Sequence, residues 1–400
     1  MAEQRFTISV PDAELDLLRR KLDLTRLPDE LEGAGWDYGV PRNDVVRLVQ
    51  HWKNGYDWRT EEAALNEELP MFTRDISVAG HDALNVHYVH QKSTVPGAIP
   101  LLFVHGWPGS FIEVRKILPL LVTPSDPNAP AFHVVALGLP GYGFSEAPKK
   151  PGFGPKQMAE TGHKLMLALG YDEYVCQGGD WGCLITMIIA STYGPRHAKA
   201  WHTNMPDLVP AGPDAATHYS ESDRAALKRV ENFRKTGAGY RVEQSTKPQT
   251  LGYNLSDSPV GLLAWIYEKL ISWTDAYPWN DDEVLTWISI YWFSRAGPTA
   301  STRLYYEARV GKFGPGTEQG TIFKVFKVDV PIGLSFFPGE INTPPESWVS
   351  PHGQLVQSTR HNRGGHLAAY EVPDLLVGDL QKMFGRQGPA YGVVTGSKGY

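Results

Sequence analysis

The chain has 400 residues, 42% of them hydrophobic and 20% charged, with a formal net charge of −6 and a sequence pI of about 6.1. With no basic block, this balance argues against nucleic acid or an anionic membrane surface as a partner. No run approaches the roughly 20 apolar residues of a membrane helix, and Met1 to Asp12 has no apolar core of signal-peptide type, so a soluble, cytosolic protein without a membrane anchor is expected.

Residues 1–95 read as an N-terminal extension. Leu15, Leu17, Leu18 and Leu22 have helical spacing. A second helix is expected from about Arg42, through Val45, Val46, Leu48, Val49 and Trp52. A third begins near Glu61, with Thr60 as its N-cap. Phe72 to Val78 and Ala83 to His90 alternate as strands, and Ala79-Gly80-His81-Asp82 supplies the turn of a hairpin.

A repeat of strand and helix follows over 96–207. Ile99 to Val104 is wholly apolar, as expected of a strand buried on both faces, and it ends in His105-Gly106-Trp107-Pro108-Gly109-Ser110. Helix is expected through Val114, Ile117 and Leu121, then a strand over Phe132 to Leu137 and a helix over Gln157 to Leu169. Tyr174 to Cys176 is a short apolar strand, Leu184 to Ile189 a buried helix, and Ala198 to Asn204 a weaker strand. Such alternation predicts an α/β protein with a mostly parallel, doubly wound sheet. The pattern breaks over 208–320, a helical insertion expected to lie as a lid over the sheet's carboxyl edge, with Gly311 to Gly320 as a loop. The aromatic density from Trp265 to Tyr306 suggests an apolar pocket there. Core resumes over 321–400, with strands at Val328 to Phe337 and Leu355 to Thr359, a helix from Leu367 to Phe384, and a loose tail from Gln387.

The corner between the Tyr174 strand and the Leu184 helix carries the chemistry. Gly178, Gly179 and Gly182 surround Asp180, in the pattern of a nucleophile elbow with Asp where many hydrolases have Ser. A strand that turns sharply into a helix strains the corner residue, so its neighbours must be small. A Ser attacking an alkyl carbon would form an ether, a dead end. A carboxylate forms an ester that water can release. With an ordinary pKa of about 3.9, Asp is already ionised near neutrality and needs no base. The elbow thus predicts displacement at carbon followed by ester hydrolysis. The two cysteines, Cys176 and Cys183, flank this corner and read as free thiols of a reducing compartment.

In this architecture the acid and the His follow the nucleophile along the chain. His366, in Arg363-Gly364-Gly365-His366, sits between the last strand and the last helix. Glu340 follows the Pro331 to Phe337 strand at its carboxyl end and could orient the imidazole. Asp207 is its main rival and Glu346 a weaker one; Asp329 lies at the wrong end of the strand. The backbone N–H groups of Trp107 and Trp181 are candidates for an oxyanion hole, where each donor is typically worth about 2.7–4 kcal/mol. His105 reads as structural.

Together, His105-Gly106-Trp107-Pro108, Gly178-Gly179-Asp180-Trp181-Gly182 and Arg363-Gly364-Gly365-His366 resemble an epoxide hydrolase of the α/β-hydrolase fold, in its microsomal-type branch with soluble fungal members. Two lid stretches are similar to that branch as well. One runs from Gly239-Tyr240-Arg241 through Lys247-Pro248 into Asp257-Ser258-Pro259-Val260-Gly261-Leu262. The other is Arg303-Leu304-Tyr305-Tyr306-Glu307. The resemblance implies that Tyr240 and Tyr305 hydrogen-bond the epoxide oxygen, with Tyr306 a neighbour that a shift of register would select. It implies an epoxide and water as substrates, no metal or organic cofactor, and a homodimer. Three other readings stand beside it: a haloalkane dehalogenase using the same Asp, a serine-type esterase, disfavoured because the elbow has no Ser, and an inactive fold that only binds.

Overall fold

The computed structural model describes residues 3–206, 219–311, 327–349 and 352–400. Among these residues nine strands form one sheet: β1 (Gln4–Arg5), β2 (Met71–Ile76), β3 (Leu84–Gln91), β4 (Ile99–Val104), β5 (Phe132–Leu137), β6 (Tyr174–Gly178), β7 (Ala198–Thr203), β8 (Val328–Phe336) and β9 (Gly353–Arg360). Their spatial order is β1-β2-β3-β5-β4-β6-β7-β8-β9. The first three strands and the β3–β5 pair are antiparallel, and every pairing from β5 to β9 is parallel. β4 and the apolar part of β6 are buried along their length, which is why they read as unbroken apolar runs rather than alternating ones.

The parallel order places the carboxyl ends of β4, β6, β8 and β9 on one edge. The chain order reverses at β4, which has β5 on one side and β6 on the other. Val104 pairs with Gly178 at the last rung. The loops that leave β4 and β6 therefore lie side by side at the switch point, where open α/β sheets form their crevice.

Between β7 and β8 the described chain is helical: Glu221–Thr236, Gly239–Thr246, Pro248–Asp257, Pro259–Ser272, Asp281–Trp292 and Arg303–Val310. These helices bring Tyr240 and Tyr305 against Trp107 of the β4 loop. Among the described residues, no helix is long and apolar enough to cross a membrane.

Several expectations need correction. The third helix starts at Trp58, and its cap is Asp57, whose Oδ1 accepts from Arg59 N at 3.0 Å. Thr60 instead donates to Asp57 Oδ2, because a carboxylate three residues earlier is the stronger acceptor for that turn. The helix expected through Val114 and Leu121 is a 3-10 turn, Phe111–Val114, followed by a short helix, Leu118–Val122. The last helix breaks into Ala368–Glu371 and Pro373–Phe384, since the ring of Pro373 drives Val372 out of helical angles. The tail is packed rather than loose. Gly399 O accepts from Ala131 N, Gly399 N donates to Gly97 O, and Ala390 and Val394 are buried. Thr395 N also donates to Glu173 Oε2 and Tyr400 Oη to Asn128 O, so the tail is tied to the loops that precede β4, β5 and β6. The expected loop at 312–320 lies outside the described residues.

Candidate active site

Asp180 follows β6 and caps the helix Trp181–Tyr193 with φ 50° and ψ −127°. This region is costly for any residue with a Cβ, at about 1–3 kcal/mol. The glycines around it have no room for a side chain. A Cβ on Gly182 would lie 1.9 Å from Val104 O, one on Gly178 2.4 Å from Gly182 O, and one on Gly106 2.2 Å from Asp180 Oδ1. Close approach of three backbone segments thus forces the carboxylate outward over the crevice.

One backbone donor bonds that carboxylate, and the start of a helix lies beside it. Trp107 N donates to Asp180 Oδ1 at 2.8 Å. Trp181 N heads the following helix, so it has no carbonyl one turn back to bond, and the positive end of the helix dipole favours negative charge at this spot.

His366 reaches Asp180 from β9. Its Nε2 is 3.5 Å from Asp180 Oδ2, and its Nδ1 is 2.8 Å from Glu340 Oε1. A single parallel bridge, Gly339 to Gly365, sets the β8 and β9 loops side by side, which brings Glu340 to the ring. Gly364 takes φ +99°, and a Cβ on Gly365 would lie 2.6 Å from Trp273 O, so both glycines are required for the loop to turn inward. His366 N donates to that same Trp273 oxygen. Glu340 Oε1 is held in turn by the Ile341 and Asn342 N–H groups, at 2.7 and 3.3 Å. Burial alone would lower the His366 pKa, but the Glu340 and Asp180 carboxylates outweigh it and hold the ring well above the ordinary value, as an imidazolium.

Of the rivals for Glu340, the two that lie among the described residues have other partners. Asp329 is exposed and pairs with Lys327, while exposed Glu346 accepts from Ser358 Oγ; Asp207 lies outside the described residues. His105 is neutral, pushed down to about 4 by burial. Its Nδ1 bonds Gly106 O, and its Nε2 accepts from Leu139 N, so it braces the loops after β4 and β5.

Aromatic rings close the crevice. Tyr240 stacks on Trp107 with ring centroids 5.2 Å apart, and Tyr305 meets Trp181 edge-on at 4.8 Å. Trp273 packs against both Tyr240 and His366. Burial, with the charge of Asp180 adding, holds both phenols above their ordinary pKa, so each is a neutral O–H donor at pH 7. Tyr305 Oη is buried beside the Trp181 side chain and the Tyr240 hydroxyl, its polar neighbours, and no hydrogen bond of normal geometry ties it to a described residue. Tyr306 is more than a third exposed and sits over Arg309 instead. Asp180, Trp181, Tyr240 and Tyr305 line one cavity with Leu184, Met205, Val230, Phe233 and Ile341; Arg234, Arg241 and Asn342 add polar groups.

The pocket expected from the aromatic run 265–306 is a partial correction. Of that run only Tyr305 lines the cavity. Trp279, Trp287 and their neighbours pack on Tyr370 instead, filling the seam between helices and sheet. Sequence reasoning also missed Glu113, which burial pushes up to about 8 beside His366 and Asp180. A lone acid inside Phe111-Ile112-Glu113-Val114 was the signal that could have found it.

Comparison with known proteins agrees with this architecture. Residues 3–114 match the family described as the epoxide hydrolase N terminus, and residues 99–249 match the alpha/beta hydrolase fold. Epoxide hydrolase 1 of Sus scrofa is 36% identical, over 95% of this chain and 88% of that protein. The solved Aspergillus niger epoxide hydrolase superposes with a TM-score of 0.83 at 33% identity, over 95% of each chain. Juvenile hormone epoxide hydrolase from the silkworm Bombyx mori does so with a TM-score of 0.84 at 28% identity, over 95% of this chain and 93% of that one. The protein is a member of the epoxide hydrolase family, built on the α/β-hydrolase fold.

Proposed function

We propose that the protein converts an apolar or aryl epoxide to a vicinal diol through an alkyl ester of Asp180. One observation carries the reading: a carboxylate on a strained corner lines one cavity with two buried phenols. Asp180 attacks an epoxide carbon while Tyr240 and Tyr305 bond the departing oxygen, and one of them gives it a proton. Ester formation removes the Asp180 charge, and with it one of the two carboxylates that keep His366 protonated. The ring then releases its proton to restore the tyrosine, and the neutral imidazole accepts one from water. Hydroxide adds to the Asp180 carboxyl carbon as the Trp107 and Trp181 N–H groups hold the oxyanion. Collapse expels the diol's oxygen, which takes the imidazolium proton; the new Asp180 acid then reprotonates His366. No metal or organic cofactor enters these steps.

Incubation with styrene oxide and with 1-chlorobutane tests the reaction class. Diol from the first without chloride from the second is expected, and chloride release without diol would make the protein a dehalogenase. Neither product, with binding retained, would make it an inactive fold. A single turnover in heavy-oxygen water should label the Asp180 carboxylate before the diol; label found first in the diol rules out the ester.

A further inference from the structure

Asp180 borders two spaces. One is the cavity under the tyrosines. The other is a small enclosed void lined by Gly106, Gly109, Glu113, Gln177, Asn204 and His366, among others. Among the residues lining the two, Asp180 alone is shared. The tyrosines line only the first, and His366 only the second. The void has room for about one water molecule.

Two buried oxygens at this void have no hydrogen-bond partner among the described residues, Glu113 Oε1 and Gln177 Oε1. The orientation of the Gln177 amide follows from its other end, where Nε2 donates to Asn204 Oδ1 at 2.9 Å. The Glu113 carboxyl packs over Gly109, where a Cβ would meet Oε1 at 1.5 Å, and the Gly106 backbone bonds it as well. Leaving such groups unbonded is unfavourable, and one bound water satisfies them. Burial is the main cause that pushes the Glu113 pKa up to about 8; His366 opposes the shift and Asp180 adds to it. Near pH 7 the side chain is therefore mostly a neutral acid, with one O–H to donate and oxygens that accept.

We propose that Glu113 and Gln177 hold the water that cleaves the Asp180 ester, in a chamber separate from the one that receives the epoxide. This rests on the ester mechanism proposed above and adds the residues that serve its second step. A water bonded to Gln177 Oε1 through one hydrogen keeps the other for His366 Nε2. With the Glu113 O–H on one lone pair, its second lone pair is left for the Asp180 carboxyl carbon. The two-chamber arrangement explains how a substrate that fills the tyrosine cavity leaves the water in place. Glu113 is a positioning residue here: it bonds the water and takes no proton from it.

Rapid mixing with styrene oxide under single-turnover conditions tests this, with the ester followed by the mass of the quenched protein. In wild type the ester should form and decay; if none forms, the ester mechanism itself fails, whatever the variants do. Given that ester, Glu113→Leu should form it within about twofold of the wild-type rate and hydrolyse it at least roughly tenfold more slowly, so that kcat and KM fall together. Glu113→Gln keeps a donor and an acceptor and should restore hydrolysis to within about threefold. Gln177→Leu should show the same split as Glu113→Leu and stands in should that variant not fold. Unchanged ester decay in the two leucine variants, equal slowing of both steps, or a Glu113→Gln variant as slow as Glu113→Leu would each overturn the assignment.

Discussion

The sheet edge and the helices that cover it build their halves of the site in different ways. On the edge, Asp180, Glu340 and His366 are set by backbone: a residue at positive φ, glycines with no room for a Cβ, and a single bridge between the β8 and β9 loops. The contacts there are specified down to the two N–H groups on Glu340 Oε1. On the covering side, Tyr240 and Tyr305 are positioned by ring packing on Trp107 and Trp181, and no hydrogen bond of normal geometry fixes Tyr305 Oη to a described residue. In the mechanism proposed above, the charge that must exist before substrate arrives is held rigidly, while the donor that must engage substrate is fixed only by packing.

Substitutions can break that contrast. The largest effect on activity should come from Asp180→Ala, with kcat for styrene oxide falling about 10⁵–10⁶-fold, the scale seen when a nucleophile is removed; residual turnover within tenfold of wild type would sink the ester mechanism. On the same edge, Gly182→Ala puts a methyl 1.9 Å from a backbone oxygen of the central strand. Neither group can yield, so it should cost about 3 kcal/mol or more, read as a lower denaturation midpoint or loss of folded protein.

The covering side should behave in the opposite sense. Tyr305→Phe removes a buried hydroxyl that has no hydrogen bond of normal geometry, only Trp181 and Tyr240 as polar neighbours, so stability should change by no more than about 1 kcal/mol, read as a small shift in Tm. Ester formation should nonetheless slow about 10²-fold, with ester hydrolysis nearly unchanged. A fall in Tm with no loss of rate would show that the hydroxyl serves the fold instead.

The smallest effect sharpens the electrostatics. His366 has a raised folded pKa, so its charge favours the folded state fully below the unfolded value, about 6.5, and that contribution is lost as pH rises through the folded value. Glu340→Gln removes one of the two carboxylates responsible. The His366 ring signal, followed by NMR against pH, should then titrate at a lower pH than in wild type. An unchanged midpoint would leave Asp180 as the sole cause.

How much could be read from the chain alone follows the same division. The strands β4, β5 and β6 were legible because a strand buried on both faces carries mostly apolar residues, broken here only by His133 and Gln177. The elbow was legible because its strain demands glycines at fixed spacing. The tyrosines were not, since eighteen are present and nothing local distinguishes a helix residue that will face Asp180; only resemblance singled out two. The break at Pro373 was misread although the proline was in view. The packed tail was misread because its contacts are with residues hundreds of positions earlier in the chain, Gly97 and Ala131.

The amino-acid sequence by itself determined which carboxylate we propose as nucleophile, the corner that presents it, and therefore the kind of bond it would form and release. These depend on backbone sterics within a few residues. The tertiary structure alone decided that Glu340 rather than Glu346 or Asp329 meets the imidazole, that Tyr305 rather than Tyr306 faces the carboxylate, and that a buried acid at position 113 lies behind it. Those outcomes depend on distances between segments far apart in the chain, which are set only when the sheet's order brings the ends of β4, β6, β8 and β9 to one edge.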